Sequence, residues 1–327
     1  MILCKKFVCR SKTFFCSIAS KMSTNAEDQF FQAAKQLVPV LSNAKHKGQA
    51  GRIGIVGGSL EYSGAPFFAG MSALRTGADL VHIFCCKEAS IPIKSFSPEL
   101  IVHPVLDDNN ALSQIEPWLE RLHVILIGPG LGRDQKVLNT VGKLIEVCRG
   151  VSKPLVIDAD GLFLVGQNTQ LIKNYPSVVL TPNSMEFTRL VKAFLNKTVE
   201  PEKVVDGKLL KELAQTIGEK VVILHKGSTD VIGDGRAVST NISCSEAGSF
   251  RRCGGQGDLL SGALSTFTCW SQGHEPSEPT PQMLACYAAS RLVRECNSAA
   301  FKIGGRGMLA SDMLHQVAPT FAKLYET

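Results

Sequence analysis

The chain has no apolar run near the roughly 18–20 residues that a helix needs to cross a bilayer, which excludes an integral helical membrane protein. It has no internal repeat and no low-complexity tract. With 44% hydrophobic and 20% charged residues it is not a disordered, collagen-like or coiled-coil chain. Clustered positive charge is also missing. The net charge of +6 arises at the N-terminus, where Lys5, Lys6, Arg10, Lys12 and Lys21 precede the first acid, Glu27. The rest of the chain is close to neutral, which argues against nucleic acid as a partner. Eleven cysteines are present, yet no C-x-x-C pair and no Cys/His set has zinc spacing. An odd, irregular set of thiols points to a reducing compartment, with the adjacent Cys85 and Cys86 expected to be buried.

Residues 1–24 are basic, serine-containing and free of acids, with Phe14, Phe15 and Ile18 interspersed. They resemble a mitochondrial presequence, and a start at Met22 would give a cytosolic form. The expected location is therefore mitochondrial, cytoplasmic or both. No composition shift divides residues 25–327, so one domain is expected there.

Short apolar runs alternate with amphipathic stretches after residue 50. The runs are Arg52–Val56, Leu80–Cys85, Leu122–Ile127, Pro154–Ile157, Val178–Leu180 and Val221–His225. Most are unbroken rather than alternating, as suits parallel strands buried on both faces. The clearest helix opens at Asp134, a predicted N-cap, and stops at Gly150. Asp230–Ile232 and Arg236–Thr240 read as a hairpin, and the three-proline segment Ser271–Pro281 as a loop between helices. Asn196–Asp206 reads as a second loop. The pattern is that of a doubly wound α/β fold, which binds ligands at the carboxyl ends of its strands.

Polar and glycine-rich motifs stand at those ends. Gly57-Gly58-Ser59 through Pro66 lacks the G-x-G-x-x-G spacing, so a structural turn explains it as well as an anion loop does. Gly128-Pro129-Gly130-Leu131-Gly132 suggests close backbone approach by a ligand. Asp158 and Asp160 are either ligands for a metal or hydroxyl, or caps of a helix near Leu162. Asn183 and Glu186, three apart, suit water-mediated Mg²⁺ and phosphate binding, but they also form a capping-box pattern. His225-Lys226-Gly227 can meet nucleotide phosphates or simply turn the chain. The most specific motif is Gly254-Gly255-Gln256-Gly257-Asp258, glycines ending at an acid that opens a helix. The N–H groups of Gly255, Gln256 and Gly257 converging on one point would form an anion hole for a transferring phosphoryl group. Asp258 beside them would accept a proton from an attacking hydroxyl. The positive helix end favours its ionised form, which predicts a ready but weak base.

In this order, GGSLEYSGAPFFAG (from Gly57), SPEL (Ser97–Leu100), GPGLG (Gly128–Gly132), DADG (Asp158–Gly161), TPNSMEF (Thr181–Phe187), HKGSTD (His225–Asp230) and GGQGD (Gly254–Asp258) resemble the ATP-dependent NAD(P)H-hydrate dehydratase family. That family is a branch of the ribokinase-like superfamily, so the resemblance implies a ribokinase-like, mostly parallel sheet flanked by helices. It further implies repair of hydrated NADH and NADPH (NADHX and NADPHX) in their S form. ATP phosphorylates the ring hydroxyl, phosphate leaves and the dihydronicotinamide is restored. Asp258 is then the base, with Gly255, Gln256 and Gly257 in the anion hole. ATP is expected along Lys226, Gly227, Ser228, Thr229 and Asp230, and along Gly248, Ser249, Phe250, Arg251, Arg252, Cys253 and Gly254 through Gly257. The hydrated dinucleotide is expected at Gly130, Asn183, Ser184, Met185, Glu186, Phe187, Thr188, Arg189 and Asp258. Glu186 would assist Mg²⁺ through water. Gln256 and Asp230 depart from the simpler bacterial pattern, and Arg251-Arg252-Cys253 resembles the eukaryotic branch, which uses ATP. The resemblance also implies a functional partnership with a separate epimerase, and it leaves homo-oligomers open.

Two rival readings have distinct signatures. A kinase of a hydroxymethyl vitamin precursor would keep the same anion hole and release a phosphorylated product. A nicotinamide-dependent oxidoreductase would need an acidic ribose reader after Leu80–Cys85, where Cys86 and Lys87 stand instead.

Overall fold

A computed structural model describes residues 26–42, 46–201 and 207–326. The predicted presequence and the end of the Asn196–Asp206 loop lie outside these residues. A helix over residues 26–35 (α1) leads into β1 (Arg52–Val56), α2 (Gly64–Thr76), β2 (Leu80–Cys85), α3 (Lys87–Phe96) and β3 (Ile101–Pro104). Next come α4 (Ala111–Leu119), β4 (Val124–Ile127), α5 (Gln135–Gly150), β5 (Leu155–Ile157), α6 (Asp160–Gln167), β6 (Val178–Leu180), α7 (Ser184–Leu195) and α8 (Gly207–Ile217). The chain closes with β7 (Val222–His225), β8 (Asp230–Asp234), β9 (Ile242–Cys244), α9 (Gln256–Ser271), α10 (Pro281–Gly304) and α11 (Ala310–Tyr325).

The strands form one nine-stranded sheet in the order β3-β2-β1-β4-β5-β6-β7-β8-β9. Pairing is parallel up to β7, and β7–β8 and β8–β9 are antiparallel. Alternate residues of each strand feed two separate cores. Ile53, Ile55, Val124, Leu126, Val156 and Val179 point to the side of α2, α9, α10 and α11. Ile125, Ile127, Leu155, Ile157, Val178 and Leu180 point to the side of α4 to α8. Both faces are covered, and this is why the runs are unbroken.

The predicted helix at Asp134 is α5, and the Asp134 carboxylate accepts the Val137 N–H at 3.0 Å. The Ser271–Pro281 loop joins α9 to α10 as expected. Two strands depart from the sequence reading. The partner of β8 is Ile242–Cys244, not Arg236–Thr240, because Arg236 is held in the turn by Asp234 at 2.7 Å. The edge strand β3 is half exposed and carries no apolar run to announce it. No helix among the described residues is long and apolar enough to cross a membrane.

Candidate active site

Strand order reverses between β1 and β4, where a doubly wound sheet opens its crevice. Here the loops that follow β1 and β4 pack against each other. The Gly58 N–H donates to Gly130 O at 3.0 Å. A methyl group on Gly57 would lie 2.1 Å from Pro129 O, one on Gly128 1.8 Å from Asp158 O, and one on Gly130 2.4 Å from Tyr62 O. The glycines of this motif make room for neighbouring loops. Gly130 itself is buried.

The polar centre lies further along the sheet, beyond β5, β6 and β7. Asp158 ends β5 and is buried, and Lys226 follows β7. Lys226 Nζ donates to Asp158 Oδ1 at 2.8 Å and stands 3.9 Å from Glu186 Oε2. Asp158 does not cap α6, whose N-cap is Ala159 at φ +47° with no side-chain cap. That positive φ on a residue with a Cβ marks strain in the turn between Asp158 and Asp160. Asp160 turns the other way, accepting from Gly132 N at 3.1 Å and pairing with Arg133 at 3.3 Å.

Asn183 and Glu186 do form the capping box of α7. Asn183 Oδ1 accepts from Glu186 N at 2.9 Å, and Asn183 N donates to Glu186 Oε2 at 2.8 Å. The cap and the charge pair coexist, because Glu186 reaches Lys226 with the same oxygen.

Gly255, at φ +92°, caps α9 and brings its first turn to this cluster. A methyl group on Gly257 would lie 3.5 Å from Lys226 Nζ and 3.9 Å from Asp158 Oδ2, and one on Gly254 would meet nothing within 4 Å. Gln256 Nε2 donates to Arg251 O at 3.1 Å, bracing the loop ahead of the helix. Burial and the Asp158 carboxylate push Asp258 up to about 7, against the pull of Lys226 and with a further push from Glu186. The helix end was expected to keep this group low; burial and the neighbouring carboxylates outweigh that dipole. Burial works against the Lys226 charge, but Asp158, Glu186 and Asp258 together raise its pKa. Burial likewise raises Glu186, against Lys226.

Two cavities border the start of α7, one at Asn183 and the other at Glu186. One, of about 710 Å³, is lined by Asn183, Lys226 to Ser228, Ser245, Gly248 to Phe250, Arg252, Gln256 and Gly257. The other, of about 700 Å³, runs between α6 and α7 past Arg133, Phe163, Glu186, Arg189 and Lys192. Of the residues expected at ATP, Thr229, Arg251, Cys253, Gly254 and Gly255 do not line the first cavity. Asp230 borders it but is committed elsewhere, to Arg294 at 2.7 Å, to Gly227 N at 2.9 Å and to Ser290 Oγ. Phe187 faces neither cavity; it is fully buried, with its ring 5.0 Å from that of His225. Met185 and Thr188 line neither, and Ser184 Oγ lies 3.4 Å from His225 Nε2.

Motif reading missed Arg294, in the middle of α10. It donates to the carbonyls of Ser228, Gly227 and Glu246 while pairing with Asp230, and so ties both loops of the first cavity to one helix. Asn297, one turn on, accepts from Ser249 N. Among the described residues no group of three or more His, Cys, Asp or Glu side chains is arranged to hold a metal ion.

Comparison with known proteins gives a consistent result. A family model described as NAD(P)H-hydrate dehydratase matches residues 53–319. The ATP-dependent (S)-NAD(P)H-hydrate dehydratase of Aedes aegypti is 49% identical over 325 residues, 99% of this chain and 94% of the relative. The Homo sapiens protein of the same name is 46% identical over 314 residues, 95% of this chain and 89% of the relative. Among solved structures, the ADP/ATP-dependent NAD(P)H-hydrate dehydratase of Bacillus subtilis, crystallised with ATP and Mg²⁺, superposes with a TM-score of 0.69. It is 20% identical, over 90% of this chain and 97% of its own, a likeness of fold.

Proposed function

The chain belongs to the NAD(P)H-hydrate dehydratase family, and from that premise we propose how its residues carry out the ATP-dependent dehydration of (S)-NADHX and (S)-NADPHX. The enzyme is a lyase that returns these damaged cofactors to NADH and NADPH. The observation that carries the mechanism is Asp258, raised to about 7 in the first turn of α9 beside the Lys226–Asp158 pair.

ATP occupies the cavity between the Lys226–Ser228 loop and the α9 loop, with its γ-phosphate towards the open N-terminus of α9. The substrate ring enters from the Glu186 side. Asp258 takes the proton of the ring hydroxyl as that oxygen attacks the γ-phosphorus and the bond to ADP breaks. A base near neutral pKa is better matched to this task than an ordinary carboxylate. The backbone N–H groups at Gly255 to Gly257 and the Lys226 ammonium meet the charge on the moving phosphoryl group. The ring carbon–oxygen bond then breaks with its electrons going to phosphate, and the adjacent ring carbon gives its proton to the departing phosphate. Phosphate leaves where hydroxide would not.

The acid-rich cluster fits a magnesium ion held mainly by phosphates and water, with Glu186 and Asp158 reaching it through water, since no side-chain cage stands among the described residues. Such an ion would neutralise charge on the phosphates. Because only the S epimer is consumed, a separate epimerase would supply it from the R form. The basic segment 1–24 supports a mitochondrial form beside a cytoplasmic one.

The test incubates the purified chain with hydrated NADH, ATP and Mg²⁺ while following the dihydronicotinamide absorbance. Recovery with matching ADP and phosphate is expected, and Asp258→Asn should lower kcat by about 10²–10⁴. A stable phosphorylated product without absorbance recovery would convert the reading to that of a kinase.

A further inference from the structure

We propose that Arg294 is a positioning residue for the nucleotide: it does not touch ATP, but it fixes the two loops that do. This rests on the dehydratase reading for the identity of that nucleotide.

Arg294 lies on α10 and borders the cavity assigned to ATP. An arginine beside a phosphate site is ordinarily a phosphate ligand. Here its donors are already occupied. A guanidinium carries five N–H groups and no acceptor. Nε donates to Asp230 Oδ2 at 2.9 Å. Nη2 donates to Asp230 Oδ1 at 2.7 Å and to Gly227 O at 2.8 Å. Nη1 donates to Ser228 O at 2.8 Å and to Glu246 O at 3.1 Å. Every N–H thus has a protein acceptor, and the Asp230 carboxylate balances the charge.

What the clamp achieves follows from peptide geometry. In a planar trans peptide the C=O and the next residue's N–H point in opposite directions. With Gly227 O and Glu246 O turned onto Arg294, the N–H groups of Ser228 and Ala247 point away from it. Neither N–H has a partner among the described residues, and both residues line the cavity. Backbone donors of this kind suit phosphate or ribose oxygens. Residues 245–250 form no strand or helix, and Ser249 N donates to Asn297 Oδ1, so side chains of α10 set the course of that loop. Asp230 closes the other loop, its Oδ1 also accepting from Gly227 N at 2.9 Å. Without the guanidinium fork these peptides are free to turn and their N–H groups lose their aim.

The test measures ATP binding by calorimetry with Mg²⁺ and no dinucleotide, and KM for ATP and for hydrated NADH in the repair assay, in the full-length chain and in Arg294→Lys and Asp230→Asn. Lysine keeps a charge beside Asp230, so the fold is kept, but it has only three donors on a point charge. Kd and KM for ATP should rise about tenfold in Arg294→Lys, while KM for hydrated NADH changes by less than about twofold. An arginine needed only for its charge in the fold would be rescued by lysine. Asp230→Asn separates positioning from direct contact by sign. It leaves the guanidinium uncompensated beside the cavity, so a phosphate-binding Arg294 would hold ATP more tightly, whereas a loosened clamp holds it more weakly. Weaker binding is expected. Tighter ATP binding in Asp230→Asn, unchanged ATP affinity in Arg294→Lys, or an equal rise in KM for both substrates would overturn the proposal. Should Arg294→Lys fail to fold, the sign in Asp230→Asn decides alone. A wild type that binds ATP but repairs no hydrated NADH would sink the dehydratase reading and leave the binding comparison intact.

Discussion

Two glycine-rich rims face each other across the carboxyl end of the sheet, and they use glycine for opposite reasons. At the β1 and β4 rim, Gly57, Gly128 and Gly130 are glycine because another backbone carbonyl lies within 2.4 Å of where a Cβ would be. At the α9 rim, a Cβ on Gly254 would touch nothing and one on Gly257 only Lys226 and Asp158. The first rim uses its glycines to pack its loops against one another at the strand-order reversal. The second keeps Gly254 and Gly257 bare beside a charge cluster, while its Gly255, at φ +92°, would set a Cβ 2.6 Å from Ala310 Cβ. Glycine density in the sequence is similar in both places, so composition alone does not reveal a site. What a side chain would collide with does.

The sharpest way to break this comparison is a pair of alanine substitutions. Gly128→Ala forces a methyl onto Asp158 O at a φ of +125°, with no flexible side chain to yield. It should cost more than about 4 kcal/mol and leave little soluble folded protein. Gly257→Ala should fold with a melting temperature within a degree or two of wild type and lose about 10² in kcat, because its methyl intrudes on the anion hole. Circular dichroism melts and the absorbance assay read both. A stable Gly128→Ala, or an active Gly257→Ala, would erase the distinction between the rims.

A finer test concerns charge at the second rim. A base with a pKa of about 7 predicts that kcat/KM falls tenfold per pH unit below about 7 and is level above it. Glu186→Gln keeps an acceptor for the Asn183 cap but removes one of the carboxylates that raise Asp258. The acid limb should therefore move to lower pH in that variant. A limb already at the ordinary carboxylate range in wild type would mean that Asp258 is not held up by its neighbours.

Much of this fold is legible in the sequence because burial on both faces leaves unbroken runs, as in Val124–Ile127 and Val178–Leu180. The cap at Asp134 is legible too, being local. The half-exposed β3 is not, since an edge strand needs no apolar run. At the site, the α9 motif carries a local signature, but the Lys226–Asp158 pair joins residues 68 apart and has none. Arg294 is invisible for the same reason: nothing around it in α10 indicates that it reaches across to two loops. Phe187 shows the converse, since a motif neighbour of Glu186 points into the core. The Asp258 pKa depends on burial first and then on carboxylates from the end of β5 and from α7, and the helix-end argument taken alone gives the opposite direction.

That raised pKa also has a cost in stability, which yields the smallest expected effect. In the unfolded chain Asp258 titrates near the usual carboxylate value of about 4, whereas in the folded chain it titrates at about 7. Between those values the folded state holds a proton that the unfolded state has released, so stability falls as pH rises through the window. Above pH 7 the whole penalty is present. Asparagine cannot ionise and removes it. Asp258→Asn should therefore be more stable than wild type at pH 8, by about 1–2 kcal/mol once the partial access of water to the carboxyl is allowed for. That is about 2–4 °C in melting temperature per kcal/mol, and the gap should close by pH 4. Melts at the two pH values decide it. A variant that loses activity but gains no stability at pH 8 would show an Asp258 that ionises without strain, and the second rim would then hold its base by position alone.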